Sequence, residues 1–357
     1  MPRPTVNRKP FGAHGSTDVD LWTLDSGTGV RAEILTYGGI LHRLTVPDTG
    51  GAPASVVRSL AGLDDYTGGN PFFGALIGRF ANRIAHGRFT LDEAEHQIPA
   101  TDRGHALHGG PGGFHTRVWQ AAGETTDTAA ALRLALSSPD GDMGFPGALD
   151  VTVTYTLDAA GTLALDYTAT TDRPTVLNLT NHAYFDLAAR GDILGHTLQV
   201  DADRYLPVDE DGIPEGPPAP VHATPFDLTT PCTVGERIAL PDEQLRRAGG
   251  FDHCWILREP GTGLRRAARL TAPGAGRIME VWTTEPGIQV YTANQLDGTL
   301  AAPGGGRHDR HSAVCLETQH LPDSPNRPDH PGTVLRPDEV FRSRTEFRFP
   351  HLAAVTG

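Results

Sequence analysis

Val151-Thr152-Val153-Thr154-Tyr155-Thr156-Leu157-Asp158-Ala159-Ala160-Gly161-Thr162-Leu163-Ala164-Leu165-Asp166-Tyr167 places large apolar residues at every second position on both sides of a short break. Successive side chains of a strand point to opposite faces, so Val151, Val153, Tyr155 and Leu157 share one face, and Leu163, Leu165, Tyr167 and Ala169 share another. The break at Asp158-Ala159-Ala160-Gly161 reads as a hairpin loop. Just upstream, Leu132, Leu134 and Leu136 keep the same period. Repeated period-two segments with little helical periodicity predict an all-β chain, a large antiparallel β-sandwich whose one core spans most of its length.

The totals agree. The 357 residues include 42 glycines and 29 prolines, a composition of short strands and turns. We read residues 1–357 as one domain with its core at about 20–350, because all-β sandwiches exceed the usual domain length of about 100–200 residues. Thirty Lys+Arg against 43 Asp+Glu give a net charge of -13, and the basic residues form no run. Nucleic acid and anionic membranes are therefore poor partners, and a neutral polar small molecule suits the chain better. No stretch approaches about 20 apolar residues and no apolar leader follows Met1, which predicts a soluble cytoplasmic protein. Cys232, Cys254 and Cys315 are odd in number and far apart, against a disulfide framework. No metal site is expected from the histidine spacing.

Outward from the opening stretch, residues 1–20 read as an irregular lead-in, with short strands at 30–36 and 42–46. Residues 89–91 and 96–98 read as a hairpin, 205–231 as an ordered surface excursion and 242–248 as one short helix. Strands follow at 251–257, 278–283, 287–292 and 314–319.

Four segments carry chemistry. Residues 175–185 read as one strand within the sheet, presenting Asn178, Thr180, His182 and Tyr184 on one face and Leu177, Leu179, Asn181, Ala183 and Phe185 on the other. A buried floor under a polar row suits a hydroxyl-rich ligand, although a strand histidine beside Asn and Thr is equally a hydrogen-bonded structural residue. In Gly78-Arg79-Phe80-Ala81-Asn82-Arg83-Ile84, two arginines and an amide sit among apolar residues, placed to pair with carboxylates or to hold hydroxyls. Glycine-rich Leu107-His108-Gly109-Gly110 lacks the Lys-Ser/Thr of a phosphate loop and presents His108 instead. In Val314-Cys315-Leu316-Glu317-Thr318-Gln319, Glu317 shares a face with Cys315 and Gln319, a salt-bridged surface carboxylate or a desolvated base.

Taken together these segments resemble the aldose 1-epimerase (galactose mutarotase) family, along with Phe251-Asp252-His253 and Gln289-Val290-Tyr291-Thr292-Ala293-Asn294. Six pieces occur in the family's order over residues 20–350. The resemblance implies a galactose mutarotase-like supersandwich, no cofactor, and an aldose as the small-molecule partner; acidic charge and a lack of long heptads make a monomer the default, with a dimer as the alternative. It implies Glu317 as general base and His182 as general acid, with Asn82, Arg83, His108, Asp252 and Gln289 binding the sugar. A protonated His182 is needed beside an ionised Glu317, a state the carboxylate favours and burial opposes. Cys254-Trp255 and the Gly/Arg-rich loop 301–310 depart from the family pattern. Arg307 and Arg310 are candidates for a pocket rim that would suit a phosphorylated hexose. A noncatalytic sugar-binding protein is the other alternative, and a glycosidase is disfavoured for want of a clear carboxylate pair.

Overall fold

The computed structural model describes residues 3–69, 71–258 and 263–354. Three antiparallel sheets make up most of it, with strand counts of nine, six and five. The nine-stranded sheet begins with Gln120–Thr125, Ala129–Ser138, Leu149–Asp158 and Leu163–Thr171, each beside the next, and continues through Phe341–Arg348 and Arg277–Thr283. In the six-stranded sheet, Tyr184–Phe185, Val314–Gln319, Gly287–Tyr291 and Asp252–Leu257 are neighbours in that order. The five-stranded sheet is a meander from Thr5–His14 to Pro53–Ser55. The all-β antiparallel sandwich is thus the observed architecture.

The alternation predicted from the opening stretch is what fills the core. Leu132, Leu134, Val153, Tyr155 and Leu165 of the large sheet meet Leu316, Val290, Ile288 and Trp255 of the six-stranded one in one continuous cluster. Ile34, Leu41 and Leu44 of the meander join it. Trp255 is fully buried and donates its indole N–H to the Phe226 carbonyl, so the 205–231 excursion is pinned by Phe226 and Leu228, both buried. The helix at Glu243–Ala248 is capped by Asp242, whose carboxylate accepts from the Gln244 and Leu245 N–H groups.

Two expectations are corrected. Residues 1–20 are not an irregular lead-in: Thr5–His14 pairs with Thr17–Asp25, with a register shift between Pro10 and Gly12. Nearly all of Thr5–His14 is exposed, so it shows no apolar alternation, and its Arg8, Lys9 and Pro10 are edge-strand residues. Residues 175–185 are not one strand within a sheet. They form three two-residue strands with three different partners: Thr175–Val176 with Val334–Leu335, Thr180–Asn181 with Leu76–Ile77, and Tyr184–Phe185 with Val314–Gln319. The alternation survives the breaks, since Leu177, Leu179, Ala183 and Phe185 all enter the main core.

Candidate active site

The six-stranded sheet builds most of the site by register. Residues directly opposite in adjacent strands point to the same face. Tyr184, Cys315, Tyr291 and Asp252 lie opposite one another across four strands, and Glu317, Gln289 and Cys254 across three. Both rows share a face, because they are two residues apart. The intervening row, Leu316, Val290 and His253, points the other way; Leu316 and Val290 enter the main core. Glu317 therefore stands between Gln289 and the broken segment that carries His182.

Loops close the opposite wall. Asn82 and His108 both adopt left-handed backbone conformations, with φ of 64° and 51°. They hold each other: the Asn82 N–H donates to His108 Nδ1 at 3.2 Å and the His108 N–H donates to the Asn82 carbonyl at 3.1 Å. The close turn after His108 requires glycine, since a Cβ on Gly109 would lie 2.1 Å from the Gly78 carbonyl oxygen. Arg83 donates from Nε to Asp102 at 2.9 Å, and a Cβ on Gly212 would lie 3.1 Å from the guanidinium, so Arg83 is held between a carboxylate and a bare backbone.

The outcome is a cavity of about 430 Å³ lined by Asn82, Arg83, His108, His182, Asp252, Gln289 and Glu317 together. All seven residues singled out from the sequence thus border one space. A larger groove of about 810 Å³ lies beside the Glu243–Ala248 helix and contains none of them. Its lining does include Arg310, and Arg307 donates to the Gly298 and Thr299 carbonyls, so neither arginine rims the 430 Å³ cavity. Cys254 and Trp255 are buried and do not line it either. Arg79 is likewise structural, giving hydrogen bonds to Ser138, Pro139, Pro146 and Gly147. Sequence reasoning missed Phe72, Asp102, Arg103 and Gln295, which also border the cavity. Phe72 packs edge-on to His108 and tilted against His182, and no spacing in the sequence announces that contact.

Glu317 and His182 are 2% and 5% exposed, and His182 Nε2 lies 3.7 Å from Glu317 Oε1. Gln289 donates to Asp252 at 2.8 Å. Glu317 Oε2 and Gln289 Oε1 have no protein partner, which leaves two buried acceptors for a ligand's hydroxyls. Burial raises the Glu317 carboxyl well above the ordinary range, with Asp252 adding to the rise and Arg83 opposing it. Burial lowers His182 to about 4 and holds His108 well below its ordinary value. At His182 desolvation outweighs the opposing hydrogen bond from the ring to its own backbone. A neutral His108 that accepts at Nδ1 carries its proton on Nε2, as a donor. His108, His182 and Glu317 also offer ligand-type atoms all within 4.8 Å of one another, a spacing open to a cation as well as to proton transfer.

The family described as aldose 1-epimerase matches residues 20–348. The chain belongs to the aldose 1-epimerase family. It is 41% identical to galactose mutarotase of Homo sapiens over 350 residues, covering 97% of this chain and 98% of that one. It is 36% identical to aldose 1-epimerase of Escherichia coli K12, covering 96% and 99%. A crystal structure of galactose 1-epimerase from Lactobacillus acidophilus superposes with a TM-score of 0.86 at 27% identity over 97% of this chain and 98% of that one. The fold is accordingly the galactose mutarotase-like sandwich.

Proposed function

We propose that this aldose 1-epimerase family member interconverts the α and β anomers of free aldoses such as glucose and galactose. The observation that carries the proposal is the buried Glu317–His182 pair at 3.7 Å, facing a cavity with unpartnered acceptors. Glu317 takes the proton of the C1 hydroxyl while His182 gives one to the ring oxygen, and the ring opens to the aldehyde. Rotation about C1–C2 and closure with the roles reversed yield the other anomer. Asn82, Arg83, His108, Asp252 and Gln289 hold the hydroxyls.

The shifts of the pair fit one shared proton. Ionised Glu317 with imidazolium, and neutral Glu317 with neutral imidazole, differ only in where that proton sits. The first form meets the cyclic sugar; the second accompanies the open chain. Desolvation favours the neutral form, and hydroxyl donors on Glu317 with the ring oxygen at His182 favour the charged one. Below the His182 value, about 4, both groups are protonated and no base remains. Above the raised Glu317 value both are deprotonated and no acid remains. The rate is therefore bell-shaped in pH. Arg307 and Arg310, the candidates for a phosphorylated hexose, stand away from the cavity, and the arginines that do border it, Arg83 and Arg103, both lie against Asp102.

We further propose one domain over residues 1–357, supported by the core cluster shared among the three sheets. A cytoplasmic setting is proposed on the three free cysteines, and a monomer on the acidic net charge and the lack of long heptads. Among the described residues no helix is long and apolar enough to cross a membrane.

Polarimetry of freshly dissolved α-D-glucose and α-D-galactose tests the function. Wild-type protein is expected to speed the approach to the same final rotation, and Glu317→Gln and His182→Asn to lower kcat about 10²–10⁴-fold. A wild type that accelerates neither sugar, or a Glu317→Gln protein with full activity, would overturn the assignment.

A further inference from the structure

His182 has two ring nitrogens, and the reaction uses one of them. Nε2 faces Glu317 and the cavity. Nδ1 lies 3.5 Å from the Sγ of Cys315, a fully buried residue two positions before Glu317 on the same strand face. Among the described residues no other side chain is hydrogen-bonded to the ring. Its surroundings are otherwise aromatic: Tyr184 stacks at 5.1 Å, His108 meets it edge-on at 5.3 Å, and Phe72 lies at 5.7 Å. The backbone is fixed as well, with the His182 N–H given to Ala75 and its carbonyl accepting from Gly74, both at 2.9 Å.

The proton bookkeeping of the proposed reaction makes this contact consequential. After Nε2 has protonated the ring oxygen, the neutral imidazole must wait with Nε2 bare, ready to take a proton back at ring closure. Its remaining proton must then sit on Nδ1. Which nitrogen of a neutral histidine keeps the proton is set by the hydrogen bond that the other makes. Nδ1–H needs an acceptor, and the one side chain the structure supplies is the Cys315 sulfur, beside a ring contact to the His182 backbone itself. A thiol is both a weak donor and a weak acceptor, so it can meet either form of Nδ1; in the Nδ1–H form that the reaction needs, the sulfur accepts without strengthening the imidazole as a base. A carboxylate in its place would favour the imidazolium and weaken it as an acid toward an ether oxygen. Burial raises the Cys315 thiol well above its ordinary value, which keeps it uncharged.

We propose that Cys315 is a positioning residue for His182, holding the neutral ring as the Nδ1–H tautomer so that Nε2 alone exchanges protons with the sugar. This rests on the reading of His182 as the acid of the proposed reaction. The titratable groups around the ring are Glu317 and Cys315 from one strand, Tyr291 from the next, Tyr184 from its own segment, and His108 and His115 from the loop wall. Cys315 is the one bonded to Nδ1.

The test compares wild type, Cys315→Ala and Cys315→Ser by polarimetric kinetics across pH and by ¹⁵N NMR of the histidine tautomers. In wild type near neutral pH, His182 is expected to show a protonated Nδ1 and a bare Nε2. Cys315→Ala should mix the tautomers and lower kcat about three- to tenfold, the worth of one hydrogen bond, with KM unchanged. Cys315→Ser, which restores a polar acceptor of similar size, should recover the tautomer and most of kcat. It should also move the acidic limb of the profile to higher pH, because oxygen holds an imidazolium N–H more strongly than sulfur. An active wild type whose Cys315→Ala form keeps both tautomer and kcat overturns this inference alone. An inactive wild type removes the reaction, and with it the role of the contact. Should Cys315→Ala fail to fold, Cys315→Ser decides: an unshifted acidic limb overturns the inference.

Discussion

Residues 129–171 and residues 175–185 follow one another in the chain and obey the same alternation, yet they are built in opposite ways. In the first, Ala129–Ser138, Leu149–Asp158 and Leu163–Thr171 pair with their sequence neighbours in unbroken register. Backbone groups satisfy one another, and the side chains need only fill the core. In the second, eleven residues are shared among three strand partners and a parallel bridge between Asn178 and Phe80. Each break leaves backbone groups that side chains must close. Asn178 donates to the Ala81 and His320 carbonyls and accepts from the His320 N–H, Asn181 donates to the Gly74 carbonyl, and Thr180 donates to the Thr318 carbonyl. A continuous ladder would have kept His182 at strand spacing from neighbours on one sheet. The broken one brings it between residues 74–75, 108 and 315–317.

The contrast predicts which kinds of damage each region suffers. Leu165→Ala in the regular ladder, at a fully buried position, should cost about 2–5 kcal/mol in denaturant unfolding and leave kcat unchanged. A comparable loss of activity in still-folded protein would show that the ladder also tunes the site. Asn178→Ala removes three hydrogen bonds at once and should cost about 2–3 kcal/mol. It should also slow the reaction, because the same amide ties residue 320 to the segment bearing His182; a stability change with unaltered kcat would separate the two.

The smallest change expected is a gain. The folded Glu317 carboxyl is raised above its unfolded value, so it favours the folded state while protonated, below about pH 4.3. That contribution is lost as pH rises through the folded value. Glu317→Gln should therefore raise the thermal midpoint at pH 8 and leave it near that of wild type at pH 4. An equal shift at both pH values would point to packing instead of desolvation.

Legibility followed this division. The ladder at 129–171, the hairpin at Arg88–Leu91 and Ala94–Gln97, and the Glu243–Ala248 helix could be read directly, because local period and local capping specify them. Thr5–His14 was illegible because a strand exposed on nearly its whole length carries no apolar alternation. Arg265–Ala272 and Phe341–Arg348 escaped notice because charged residues and threonines interrupt their apolar period. The seven candidate site residues were nameable through family likeness. Asp102 on Arg83 and Cys315 on His182 carried no such mark.

By itself the sequence determined the period-two faces, the all-β class and the inventory of acid, base and hydroxyl-binding groups, since these depend on residue type and spacing over a few positions. Tertiary structure alone decided the breaks in residues 175–185, the meeting of His182 with Glu317, and the protonation preference of each. Those depend on which distant strands close the backbone hydrogen bonds and how completely they exclude water, and neither quantity is a property of any local stretch.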